Sequence, residues 1–358
     1  MESSDRLRLS LERAFRFIKD NRNPDGLWSD FLTLAGESVY WVSGYVGYAA
    51  SLNRAPGQEE EWLHGVGLAI LEHQGRDGGW GYGPGVPSDA DSTSWCLLFL
   101  SRLGTQSEES REKALLFLSK HQSPIDGGFR TYANPREVGR YMMLDGSVSF
   151  EGWASSQTCV TAVATRALID AKSSWGIDEA LDYIRNSQTP EGNWNSYWWS
   201  DGLYATVNCM EVLETRRAGG READVVQLGR ANAWIAGAQL ADGSWSPDPA
   251  ASEGSPFSTA LALGGLLQAP GPRAADRSVI GKGAEWLLTR QEADGSWGAN
   301  HILRIPHPSM KEPWKQPYWN RDGKAINAVI KDHRRLYTTA TALAALSEFD
   351  KSSGDEIR

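Results

Sequence analysis

Cysteine is scarce in this chain: three residues, Cys96, Cys159 and Cys209, in a sequence of 358. That is too few for a disulfide framework. Each sits in an apolar, small-residue stretch such as STSWCLLFL, where a buried thiol is expected, and a reducing, cytoplasmic setting fits. Positive charge is also short. With 36 Lys+Arg against 45 Asp+Glu the net charge is −9, which excludes a general nucleic-acid binder, since such a protein would be basic. No stretch approaches the apolar run of about 18 residues that a membrane-spanning helix requires. The six histidines show no ligand spacing with cysteine or carboxylate, and no glycine loop has a phosphate-binding pattern, so neither metal nor cofactor is expected. Period-two alternation is missing over any useful length, so almost no sheet is expected. The N-terminus, MESSDRLRLSLERAFRF, is charged and reads as the start of a helix, not as a signal peptide.

Glycine and tryptophan are abundant instead, 37 and 16 residues, and much of the excess recurs at regular places. One pattern appears six times: NRNPDGLW ending at Trp28, HQGRDGGW at Trp80, HQSPIDGGF at Phe129, SQTPEGNW at Trp194, AQLADGSW at Trp245 and RQEADGSW at Trp297. Successive aromatic positions lie 52, 49, 65, 51 and 52 residues apart. Gln74, Gln188, Gln239 and Gln291 stand six residues before their tryptophans, whereas the first copy has Arg22 there and the third has Gln122 one place earlier. Before each mark runs an amphipathic stretch such as KALLFLSKHQ; after it comes a small-residue, more apolar one such as STALALGGLLQA. Each repeat therefore reads as outer helix, tight Asp/Glu-Gly turn, inner helix. A hairpin of this size cannot bury its apolar face alone, so neighbours must stack. The expectation is an all-α protein, an (α/α)6 barrel in one domain over residues 1–358. Insertions at about 130–153 and 298–335 break the repeat.

The marks resemble the QW motifs of squalene–hopene cyclases and related class II terpene cyclases, over essentially the whole chain. Protein prenyltransferase β subunits share the barrel with a weaker repeat. The resemblance speaks for the fold more than for the chemistry. Asp25, Asp77, Asp126, Asp242 and Asp294 belong to the repeated turns and read as structural.

One aspartate pair lies outside the repeat. After Trp80 the chain reads GYGPGVPSDADSTSWCLLFL, which places Asp89 and Asp91 at the start of an inner helix. Helix capping accounts for such a pair by itself, and a cap and a catalytic role are compatible. Asp89-Ala90-Asp91-Ser92-Thr93 is similar to the D-x-D-D-T motif of class II cyclases, and the resemblance implies that Asp91 is the general acid and Asp89 its neighbour. Ser92 departs from the family's last aspartate. The stretch Cys159–Val163 offers no counterpart to the histidine that supports the acid in hopene cyclases. Protonating an alkene needs a neutral carboxylic acid. A free aspartate titrates near 3.9, so lifting it to about 7 requires roughly 4 kcal/mol, from an apolar cavity and a like-charged neighbour.

The carbocation that follows needs stabilisation without a trapping nucleophile. Aromatic faces supply about 0.5–2 kcal/mol each. Tyr40, Trp41, Trp95, Trp153, Trp198, Trp199, Tyr204, Trp319 and Tyr337 cluster where inner helices begin and are the candidate substrate- and cation-binding residues. The segment Tyr197–Tyr204 resembles an R-W-G-x-N-Y-x-Y-G-T stretch of hopene cyclases, with Trp198 on its tryptophan. The second insertion carries eight Lys/Arg against three Asp/Glu. A solvated loop is its plain reading; its functional one has Arg304, Lys311 and Lys315 hold an anionic head group.

The resemblance thus implies a cyclase that protonates the terminal alkene (or epoxide) of a linear isoprenoid, a meroterpenoid with an aromatic or acidic head fitting best. The expected partner is that small molecule, with no nucleic acid and with peripheral membrane contact compatible with a lipid substrate. Two rivals stand beside it. A non-catalytic barrel that binds a lipid or a protein would need no acid. A protein prenyltransferase would need zinc ligands, but Asp201-Gly202-Leu203 and Tyr337-Thr338-Thr339-Ala340 put leucine and threonine where the family's cysteine and histidine stand.

Overall fold

The computed structural model describes residues 3–53, 60–142, 147–216, 222–247, 253–268 and 277–354; positions 143–146 of the first insertion lie outside them. Within these residues outer and inner helices alternate. The outer set is α1 (Ser3–Asp20), α3 (Glu61–Glu72), α5 (Glu108–Ser119), α8 (Ile177–Asn186), α10 (Glu222–Gly237) and α12 (Arg277–Arg290). The inner set is α2 (Tyr40–Ser51), α4 (Ala90–Leu103), α7 (Thr158–Asp170), α9 (Leu203–Thr215), α11 (Pro256–Leu267) and α13 (Leu336–Gly354). Each inner helix packs on the next, and α13 returns to α2, so the ring closes. Small residues permit this. A Cβ on Gly44 of α2 would stand 2.8 Å from the Cys96 amide nitrogen of α4. A short helix, α6 (Pro135–Tyr141), lies in the first insertion. Among the described residues no helix is long and apolar enough to cross a membrane.

The repeated mark is a hydrogen-bonded clasp. The tryptophan indole N–H donates to its own outer helix, as Trp194 to the Ile184 carbonyl at 2.7 Å and Trp245 to the Ile235 carbonyl at 2.7 Å. Its backbone N–H donates to a hydroxyl of the following inner helix, as Trp80 to Thr93 and Trp245 to Thr259, both at 3.0 Å. The glutamine amide bridges the turn to the next outer helix: Gln188 to the Gly192 and Gln227 carbonyls, Gln239 to those of Gly243 and Val279. The aspartates accept backbone N–H groups within their turns, as Asp242 from Ser244 at 3.0 Å. Glycine is needed twice over at Gly295, where φ is +94° and a Cβ would meet the Arg13 carbonyl oxygen at 2.4 Å.

The same clasp joins the ends of the chain. Gln291 donates to Gly295 and to the Ser10 carbonyl of α1, each at 2.9 Å. Asp30 accepts the amides of Arg334 at 2.9 Å and Leu336 at 3.1 Å at the entry to α13. Gln291→Ala should therefore lower stability by about 2 kcal/mol, from two lost bonds to carbonyls left less satisfied. A thermal melt reads this as a fall of a few degrees, with turnover per folded molecule unchanged.

Sheet is slightly richer than the sequence suggests. Among the described residues there are three two-stranded antiparallel ribbons: β1 (Asp30–Thr33) with β2 (Gly36–Ser38), β3 (Trp80–Gly81) with β4 (Ser88–Asp89), and β5 (His301–Ile305) with β6 (Ala328–Lys331). Their strands are two to five residues long, too short for alternation to register. The third gives the 298–335 insertion a folded frame where a plain solvated loop was one reading. Both insertions sit against each other over the N-terminal ends of the inner helices. Gly152 N–H donates to the Pro308 carbonyl at 2.8 Å, and the Trp153 indole donates to the Pro306 carbonyl at 3.1 Å.

Candidate active site

The ribbon β3–β4 delivers the chain into α4 with Asp89 as its N-cap. Asp89 accepts the Ser92 amide at 2.8 Å and the Ser92 hydroxyl at 2.7 Å. Burial pushes its pKa up to about 6, and those donors hold it from rising further. Asp91, in the first turn of α4, has no such support. Its Oδ1 is buried without a hydrogen bond, and so is the nearby Trp41 indole N–H. Burial, then the charge of Asp89, lifts the Asp91 pKa well above the ordinary carboxylate value, with Trp41 opposing weakly. The departure at Ser92 thus becomes intelligible. The serine donates to Asp89, favouring its ionised form, and an ionised Asp89 keeps the proton on Asp91. In the stretch Cys159–Val163, which offers no histidine, Cys159 lies near Asp91 as a buried thiol whose pKa burial raises to about 11.

Asp91 opens onto a cavity of about 600 Å³. Its wall combines Trp41, Tyr82 and Trp198 with side chains of the two insertions, Tyr132 among them. Trp41 and Tyr82 stack at 6.2 Å, and Trp153 meets Trp198 at 5.4 Å. The Trp198 indole is fixed by Thr131 at 2.7 Å and Gln157 at 2.9 Å, which turns its ring toward the cavity.

Among the described residues the cavity has one buried cation. Arg304 of β5 is 3 % exposed and lines it. Its guanidinium donates to the Ser196 carbonyl at 3.0 Å and to that of Trp199, and it lies over the Trp319 ring at 5.5 Å. Among the described residues no carboxylate pairs with it, and its Nε makes no hydrogen bond. Burial draws its pKa down to about 10 against the opposing pull of Asp201, so it stays charged at neutral pH. Lys324 stands exposed on the cavity rim.

The structure brings together Asp89, Asp91, Trp41, Trp153, Trp198 and Arg304 of the residues expected from sequence. Others are placed differently. Trp95, Trp199, Tyr204 and Tyr337 are almost fully buried in the barrel lumen and give the cavity no wall. There Trp95 donates to the Tyr204 hydroxyl at 3.0 Å, and Tyr337 stacks on Tyr45 at 3.8 Å. Tyr40 points the other way, its ring stacked on His73 at 4.9 Å at the end of α3, because adjacent positions on a helix diverge. Trp319 backs Arg304 instead of facing the cavity. Lys311 and Lys315 are exposed and paired with Glu151 at 2.8 Å and Glu312 at 2.7 Å, away from the cavity wall. A loop's net charge does not tell which of its side chains turn inward. Tyr82, Tyr132 and Lys324 were missed. The first two had a signal: each is an aromatic two or three residues past a repeat mark, as is Tyr197.

A helical toroid with an aspartate of raised pKa at the start of an inner helix, facing an aromatic cavity, is the arrangement of the class II terpene cyclases. The comparisons agree. The sequence matches the Prenyltransferase alpha-alpha toroid domain over residues 5–135 and 39–201, and the Squalene-hopene cyclase C-terminal domain over residues 155–308. The structure is similar to that of the type II terpene cyclase MstE from Scytonema, with 30 % identity, a TM-score of 0.84, and coverage of 97 % of this chain and 98 % of that one. The chain belongs to the squalene–hopene-cyclase-like class II terpene cyclase family. MstE has been solved with geranylgeranyl dihydroxybenzoate as substrate and with merosterolic acid A as product. Among curated proteins, a drimenyl diphosphate synthase of Streptomyces showdoensis is 28 % identical over 320 residues, 87 % of this chain and 54 % of that protein. A squalene–hopene cyclase of Bradyrhizobium diazoefficiens is 26 % identical over 147 residues, 39 % of this chain and 22 % of that protein. The chain thus spans about half the length, or less, of these curated relatives.

Proposed function

We propose that this chain cyclises a linear isoprenoid bearing an aromatic, acidic head group. The observation that carries the reading is Asp91: a carboxyl on the wall of an aromatic cavity, its Oδ1 buried without a hydrogen bond, beside a second carboxylate whose charge adds to burial in raising its pKa. Asp91 gives its proton to the terminal alkene (or epoxide), and the new C–H (or O–H) bond leaves a tertiary carbocation. Successive double bonds of the chain attack it, each closing a ring and moving the charge along. Loss of a proton from carbon ends the sequence, so the product is an isomer of the substrate. Trp41, Trp153 and Trp198, with Tyr82 and Tyr132, offer ring faces to the moving charge.

Arg304 supports the acidic head. A buried guanidinium lacking a carboxylate partner is costly unless an anion completes it, and its fork suits a carboxylate. A diphosphate head, as the curated drimenyl diphosphate synthases suggest, would ask for more positive charge than Arg304 and a rim lysine supply. A purely lipid-binding barrel would gain nothing from an unpaired acid at its cavity. Three buried free thiols fit a cytoplasmic setting. The test is incubation with geranylgeranyl dihydroxybenzoate, a free polyprenol and a polyprenyl diphosphate, followed by mass spectrometry. Isomeric cyclised product from the first, formed at least about tenfold faster than from the others, is the expected result. Tight binding of all three without any conversion would leave a binding module.

A further inference from the structure

The cavity occupies only part of the barrel mouth. Trp41 of α2 and Asp91 and Ser92 of α4 reach it, but α9, α11 and α13 give it no wall residue. Trp199 covers those three helices. It is 1 % exposed, stacks on Tyr204 of α9 at 4.0 Å and on Phe257 of α11 at 5.3 Å, and tilts against Tyr337 of α13 at 5.1 Å. On its other side it meets Trp41, itself on the cavity wall, at 5.8 Å. The ring therefore fills the space between the acid's neighbour and the rest of the lumen.

Trp199 does not come from an inner helix. It hangs from the connection between Trp194 and α9, and β5 of the second insertion clamps that connection. The Ser200 amide donates to the Ile302 carbonyl at 2.8 Å, the Arg304 amide donates to the Trp198 carbonyl at 2.6 Å, and the Arg304 guanidinium donates to the Trp199 carbonyl. Two consecutive tryptophans are thereby turned to opposite sides, Trp198 toward the cavity and Trp199 into the lumen. The geometry points to Trp199 as a length-limiting stopper: it sets how many isoprene units of tail fit between the head-group end and Asp91. This rests on the cyclase reading above. Trimming the indole to leucine removes six heavy atoms, comparable to the five carbons of an isoprene unit, and extends the cavity toward α9, α11 and α13. The barrel ring itself contributes no side chain to the change and stays intact.

The experiment measures kcat/KM for the full chain on one acidic aromatic head carrying tails of two to five isoprene units. Wild type should peak at one length. Trp199→Leu should move that peak up by one unit and raise the long-to-short ratio by at least about tenfold, with Trp199→Phe between. Phe257→Leu, which lets the indole settle deeper without touching its clamped loop, should shift the ratio in the same direction by less. If Trp199→Leu does not fold, Phe257→Leu decides the matter. An unchanged optimum in variants whose circular dichroism and melting are native-like overturns the stopper. So does a folded Trp199→Leu that is inactive on every tail, because the ring would then serve the chemistry. Absence of turnover of every tail by wild type is a different result, and it overturns the cyclase reading with the stopper that rests on it.

Discussion

Asp91→Asn is expected to abolish turnover, a fall in kcat of about 10⁴-fold, the top of the range for losing a general acid. The same substitution should leave the protein at least as stable at neutral pH. Because burial and Asp89 raise the folded-state pKa of Asp91, the folded chain binds more protons than the unfolded one. The stability this proton supplies is fully present below the unfolded value, near 3.9, and is lost as pH climbs through the folded pKa. Asparagine carries no such dependence. Melting curves should therefore nearly coincide at about pH 4 and separate in favour of Asp91→Asn as pH rises toward about 8. In wild type, activity needs the protonated acid, so kcat/KM must fall on the alkaline side. Asp89→Asn removes the like charge and should carry that alkaline limb to lower pH. A limb that does not move would mean that Asp89 caps the helix and does nothing for the acid.

Arg304→Met should raise KM for an acidic-headed substrate by about 10²-fold, in line with the 2–5 kcal/mol lost when one member of a buried charge pair is truncated. Arg304 also holds the carbonyls of Ser196 and Trp199, so some general loss is expected. The decisive quantity is the ratio of KM values for the acidic-headed substrate and a free polyprenol, which should rise by most of that factor. Lys311→Ala and Lys315→Ala, which break only exposed pairs, should change either value less than about twofold. Lys324→Ala should fall between, with an effect that fades at high salt. Equal losses on both substrates in Arg304→Met would make the guanidinium a loop clamp alone.

The repeat was legible in full because its physics is local. Each mark makes its bonds within one hairpin and to the next, so spacing implied how many hairpins there are and small-residue composition implied which helices line the ring. The place of Asp91 was legible for a related reason, since the start of an inner helix after a mark has one place in the barrel; its role as the acid came from the resemblance to the D-x-D-D-T motif. What the sequence could not convey is direction across loops. Trp198 and Trp199 are adjacent and alike in type, yet one faces the cavity and the other plugs the lumen, because β5 pins the backbone between them. Arg304, Lys311 and Lys315 share a basic insertion, yet only the first is buried, because the β5–β6 ribbon carries it inward while the others reach water and pair there. Bonds within and between consecutive hairpins built most of the barrel; the β5–β6 ribbon, and its contacts with the Trp198–Ser200 connection about a hundred residues earlier, decided which way these side chains face.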